Sequence, residues 1–181
     1  MALIIVVSIL CPDRIGLVSA IADHLFAEGV NLRDTSFASL GHEAEFTSLC
    51  EVPERIGADG LREGLQGLPE LEGAQIRVVP YTGDPGPGPM GRGTHQIEIS
   101  GGDQLGLIAR LSDILTQFGA NIVRLDAQKQ GEAEGGRFIT LFSVWLPEDR
   151  AETCLAAIGN TAGSLGLLSR VREIPREVPG A

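Results

Sequence analysis

Hydrophobic and polar positions along this chain switch between two periods, in an order that occurs twice. Residues 3–10 form a nearly continuous apolar, β-branched run, the pattern of a strand covered on both faces. The period then lengthens. Ile15, Val18, Ile21, Ala22 and Leu25 recur at three- and four-residue spacing and predict one face of a helix. Gly29 stands where a helix ends in a left-handed residue. Residues 32–40 and 46–52 read as paired strands around Gly41-His42-Glu43. A polar, glycine-interrupted helix is predicted from Pro53 to about Leu68, and a fourth strand over 74–79.

The second half repeats this order. A strand is predicted over 96–100, then a helical stripe of Leu105, Ile108, Leu111, Leu115 and Phe118 stopped by Gly119. Paired strands follow over 122–130 and 137–146 around a Gly/Glu-rich turn. Pro147 opens the last helix and 168–174 is the last strand. Residues 4–32 and 94–122 align without a gap, with eight of 29 positions identical, where average composition gives about two. A self-match at fixed spacing outweighs local propensity in deciding the fold. The order β-α-β-β-α-β is the ferredoxin-like unit, four antiparallel strands carrying both helices on one face. The expected fold is therefore α+β, two such units in tandem. The boundaries fall at 1–81 for the first domain, 82–93 for a Pro/Gly linker, 94–175 for the second domain and 176–181 for a frayed tail. The alternating Pro and Gly of the linker lacks the ending and the strand-to-helix setting of a phosphate-binding loop.

Charge narrows the partners. The 14 basic residues face 24 acidic ones, giving a net charge of −10 and no basic run. Phosphate neutralisation needs clustered Lys and Arg, so direct binding of nucleic acid or of an anionic membrane is disfavoured. Cys11, Cys50 and Cys154 are odd in number and show no CxxC spacing, so neither a disulfide framework nor a zinc site is expected, and a reducing cytoplasm fits. The apolar start has no basic leader or cleavage site and is too short to span a bilayer. Units of about 80 residues are marginal alone, so packing on a twin or on a second chain is expected.

The candidate chemistry lies at the two strand-to-helix turns. Asp13 and Asp103 occupy positions suited to an N-cap, and Gly16 and Gly106 fall in what reads as the first helical turn, where glycine is unfavourable. A bare helix start offers unpaired N–H groups and partial positive charge, suited to a carboxylate. Asn31 and Asn121 follow the helix stops and carry both donor and acceptor. Caps and turns account for the same residue types without any ligand. Elsewhere His24, His42 and His95 are scattered, with no metal-ligand spacing and no orienting partner. His24 is expected on the solvent flank of its helix. Cys11 reads as a small buried residue, although a helix start nearby would lower a thiol pKa. Ser8 and Ser19 lack a nucleophile-elbow setting. Phe142 and Trp145 read as core or interface residues.

The sequence D-R-I-G-L-V…G-V-N-L at 13–32 resembles the ACT-domain signature, and D-Q-L-G-L-I…G-A-N-I at 103–122 is a second copy. The resemblance covers the chain apart from linker and tail. It implies modules that bind amino acids at domain interfaces, near the first strand–helix turn and the residue after the helix. On this chain those are Asp13, Arg14, Ile15 and Gly16 with Asn31, and Asp103, Gln104, Leu105 and Gly106 with Asn121. A tandem pair without a catalytic domain is similar to the glycine cleavage system transcriptional repressor family, a likeness strengthened by residues 31–34 and 38–47. Gln104 in place of Arg14 and the longer turn at 131–136 depart from a simple duplication.

The expected function is a non-enzymatic regulator that binds a small amino acid of the glycine or serine class, uses no cofactor or metal, forms homo-oligomers and acts through a protein partner such as a transcription factor. A dissociable regulatory subunit of a biosynthetic enzyme and a structural adaptor without a ligand are the alternatives.

Overall fold

The computed structural model describes residues 2–86, 88–131 and 136–175. The chain divides into two units, Met1–Pro85 and Gly86–Ala181. The first contains β1 (Ala2–Pro12), α1 (Leu17–Ala27), β2 (Asn31–Leu40), β3 (Glu43–Pro53), α2 (Gly57–Gln66), a 3-10 turn (Pro69–Leu71) and β4 (Gln75–Pro80). Its sheet is antiparallel in the order β2-β3-β1-β4. The second contains β5 (His95–Gly101), α3 (Leu107–Gln117), β6 (Asn121–Gln130), β7 (Arg137–Trp145), α4 (Ala151–Ser164) and β8 (Leu168–Glu173). Its order, β6-β7-β5-β8, repeats the first. Each unit is thus the βαββαβ fold expected. Residues 132–135 of the Gly/Glu-rich turn, Pro87 of the linker and the tail from 176 lie outside the described residues.

Alternation builds each core. Ile5, Val7, Ile9 and Cys11 of β1 face the helices, as do Ala44, Phe46, Ser48, Cys50 and Val52 of β3, because every second strand residue points the same way. Leu17, Ile21 and Leu25 of α1 and Leu61 and Leu65 of α2 close that core. The second unit has its own: Ile97, Ile99, Phe142 and Val144 beneath Leu107, Leu111, Leu115, Cys154 and Ile158.

The helical stripes differ from those predicted. Both helices begin two residues later than the spacing implied, at Leu17 and Leu107. Ile15 and Leu105 therefore stand in the turns, fully exposed, and the buried face runs at four-residue intervals from Leu17 and from Leu107. α2 and α4 also start late. Pro53 is still paired in β3, opposite Ala2, and Pro147 precedes a turn that delays α4 to Ala151.

The helix stops follow the sequence closely. Gly29 and Gly119 take φ of 76° and 71°. Val30 N–H donates to Leu25 O at 2.9 Å and Ala120 N–H to Leu115 O at 2.9 Å. These 6→1 bonds are the Schellman termination.

Candidate functional site

Each strand-to-helix turn ends in a glycine with left-handed backbone, φ 87° at Gly16 and 79° at Gly106. These glycines are the N-cap residues themselves and stand before the first helical turn, not inside it. Asp13 and Asp103 do not cap: neither helix start has a side-chain cap hydrogen bond. The Asp13 carboxylate instead accepts from Ser39 Oγ at 2.8 Å, and Asp13 N–H donates to His42 O at 2.9 Å, tying the turn to the β2–β3 hairpin. The Arg14 guanidinium donates to Pro69 O at 3.3 Å and Glu72 O at 3.2 Å, strapping the first turn to the segment before β4. Gln104 replaces it in the second unit.

The absence of a cap leaves donors available. A helix has four N–H groups without an intrahelical acceptor. In α1 Leu17 N–H goes to Arg14 O and Ala20 N–H to Gly16 O; in α3 Leu107 N–H goes to Gln104 O and Arg110 N–H to Gly106 O. The pairs Val18–Ser19 and Ile108–Ala109 remain without a backbone acceptor among the described residues. A Cβ built at Gly16 or Gly106 would meet nothing within 4 Å. These glycines are needed for positive φ and not for close packing, and space opens in front of them. Two adjacent amides at the positive end of a helix suit one carboxylate.

The asparagines are elsewhere. Asn31 pairs in register with Glu51, which pairs with Ile4. The turn leaves β1 at Pro12, eight residues further along, about 26 Å at strand rise. Asn31 and Gly16 of one unit thus stand at opposite ends of the sheet. Asn121 sits likewise beside Trp145, at the end of the sheet where β5 begins. Both amides already donate within the protein, Asn31 Nδ2 to Glu51 Oε2 at 3.0 Å and Asn121 Nδ2 to Met90 O at 2.9 Å. Glu51 also holds Arg33 at 3.2 Å. Within one unit the turn is not faced by its asparagine.

Other candidates resolve as follows. Burial pushes the Cys11 thiol above its ordinary value; Arg14 opposes this and Asp13 and Glu43 add to it. Burial raises Cys50 and Cys154 as well. Cys11 is accordingly a buried packing residue and no thiolate. His24 is not on the solvent flank. Its Nε2 is buried without a hydrogen-bond partner among the described residues, against Gly64 of α2. Phe142 is core and Trp145 half-buried. No group of three His, Cys, Asp or Glu that could hold a metal occurs among the described residues, and none of their helices is long and apolar enough to cross a membrane.

Sequence reasoning missed three residues beside the second turn. A concavity of about 230 Å³ is lined by residues 103–109 together with Ala127, Phe138 and Thr140. The repeat aligns Ala127 with Phe37 without saying what faces it, and the β6–β7 turn, four residues longer than its counterpart, shifts the alignment ahead of Phe138 and Thr140.

No family model matches the sequence, and no curated protein matches it significantly. Solved structures do. An unknown protein from Galdieria sulphuraria is 20% identical, with a TM-score of 0.74 over 97% of this chain and 100% of that one. A candidate glycine cleavage system transcriptional repressor is 14% identical, with a TM-score of 0.67 over 97% of this chain and 99% of that one. The fold is a tandem ACT-like pair. At these identities the likeness establishes architecture.

Proposed function

We propose that this tandem ACT-like protein is an amino-acid-binding regulator. The observation that carries the reading is the doubled helix start: a left-handed glycine, an uncapped end and two adjacent amides without a backbone acceptor, in both units. Caps made by side chains would have consumed those donors, and none is present. An α-amino acid presents the carboxylate that such an end prefers. Because the asparagine of the same unit stands at the far end of its sheet, a site using both groups draws the asparagine from a second copy of the chain. Self-association would then build the site, and occupancy would favour one packing over another, with coupling of about 1–3 kcal/mol. The readout is contact with a protein partner, of which a transcription factor governing glycine metabolism is the leading example. The likeness to a candidate glycine cleavage repressor supports that choice.

Calorimetric titration of the full chain with each of the twenty amino acids at millimolar concentration tests the reading. Heat with at least one small amino acid, lost when Gly16→Pro and Gly106→Pro are combined, is the expected result. No heat and no thermal stabilisation with any of them would remove amino-acid sensing.

A further inference from the structure

The cross-strand register separates the two halves. On the helix-facing side of the first sheet, successive pairs are Thr35 with Ser48 and Phe37 with Phe46. At the corresponding positions the second sheet has Leu125 with Phe142 and Ala127 with Thr140. One aromatic has moved a pair away from the strand-to-helix turn, from Phe46 to Phe142, and another, Phe138, stands a pair nearer to it, where the first half has Ala44. The polar pair has moved the other way, toward it, and has lost one member.

That loss matters. In the first half the hydroxyls of Thr35 and Ser48 lie 2.8 Å apart and satisfy each other. Thr140 faces Ala127, which offers no partner. Thr140 is only 3% exposed, and its hydroxyl has no hydrogen-bond partner among the described residues. Its oxygen is not sealed from solvent, since among the described residues His24 Nε2 is the side-chain polar atom that is both fully buried and unpaired; Thr140 is left to pair with water or with a ligand. Thr140 lines the concavity of about 230 Å³ that also meets Asp103, Leu105, Ile108, Ala127 and Phe138. This volume lies below the range of about 300–1,000 Å³ typical of sites for drug-sized ligands and suits a molecule of amino-acid size.

We propose that the concavity is the side-chain pocket of an amino-acid site in the second half, selective for short branched α-amino acids in the order threonine, valine, glycine. This rests on the function proposed above and adds the ligand class and the half that reads it. The amides of Ile108 and Ala109 take the carboxylate, and the Asp103 carboxylate takes the ammonium group. The branched carbon fills the space beside Ala127 and Phe138. A ligand hydroxyl pairs with Thr140 and completes the bond that Ala127 cannot make. Valine fills the same space and leaves Thr140 unpaired. Glycine does neither. The first half has Phe37 and Phe46 where this pocket has Ala127 and Thr140, and Ala44 where it has Phe138, so its space is placed differently and it does not share the preference.

Calorimetry on the full chain with L-threonine, L-valine and glycine tests this, using the native protein, Ala127→Phe and Thr140→Val. The native protein is expected to bind threonine at least tenfold more tightly than glycine. Ala127→Phe, which installs the first half's residue at an exposed position, should weaken threonine and valine at least tenfold. Thr140→Val keeps the shape, should erase the preference for threonine over valine, and should leave valine affinity unchanged; it tests the pocket even if Ala127→Phe does not fold. Glycine binding as tightly as threonine, or affinities untouched by both substitutions, overturns the pocket while leaving amino-acid sensing intact. Absence of heat with all three ligands, alongside heat with another amino acid, overturns the pocket alone; absence of heat with every amino acid overturns both.

Discussion

Gly16 and Gly106 carry the site through their backbone alone. Their φ values are 87° and 79°, and an added Cβ would touch nothing. Substitution by alanine therefore has one cost, the left-handed conformation, of about 1 kcal/mol. Gly16→Ala and Gly106→Ala should each lower unfolding free energy by about that amount in urea titration, and Asn at either position by less, since Asn tolerates the conformation better. Loss of several kcal/mol would mean hidden packing. The sequence marked these two residues through the repeat but misassigned their role. A glycine's identity does not say whether the helix has begun. That depends on φ, and the apolar stripe gave a start two residues early because exposed Ile15 and Leu105 happen to keep the spacing.

Between elements, the closest contact of interest joins α1 to α2. His24 Nε2 is buried without a partner among the described residues, and a Cβ on Gly64 would lie 2.6 Å from it. Alanine in a helix interior normally gains up to about 1 kcal/mol over glycine. Here Gly64→Ala should instead destabilise, by about 1–2 kcal/mol, because the imidazole has to move. Adding His24→Ala should recover most of that loss, and a double-mutant cycle by chemical denaturation measures the coupling. Additive effects would show that the ring moves freely. This contact was illegible in the sequence, since 40 residues separate the pair and no periodicity links them. Strand identity and order were legible from alternation, and so were the Schellman ends at Gly29 and Gly119. The ends of the sheet were not. The asparagines seemed near the turns in one dimension, but antiparallel register carries them to the opposite end. The exchange of Phe37 and Phe46 for Ala127 and Thr140 becomes visible only once cross-strand pairs are known.

At the scale of the molecule, all three thiols are buried and raised by that burial. An unfolded thiol titrates near pH 8.5. A folded value above the unfolded one favours the protonated, folded form. This stabilisation is full below about pH 8.5 and is lost as pH rises through the raised folded values. Urea midpoints should therefore fall above about pH 9, and a Cys11→Ala, Cys50→Ala, Cys154→Ala chain should show a shallower decline over the same range. Equal declines would assign alkaline loss to other groups. The tandem architecture was readable from the ungapped self-match. The difference between the halves was not, because the alignment slips at the 131–136 turn, ahead of Phe138 and Thr140, and the exchange of Phe37 for Ala127, still in step, has no meaning until strand pairing is known.

Each unit has a hydrophobic cluster of its own, sixteen buried residues in one and twelve in the other among the described residues. Two separate cores give two candidate cooperative units, so an all-or-none description of denaturation does not apply in advance. A solute held by the second half alone would add RT ln(1 + [L]/Kd) to that half only, about 2.7 kcal/mol at a hundredfold excess over Kd, and would pull apart two transitions that otherwise overlap.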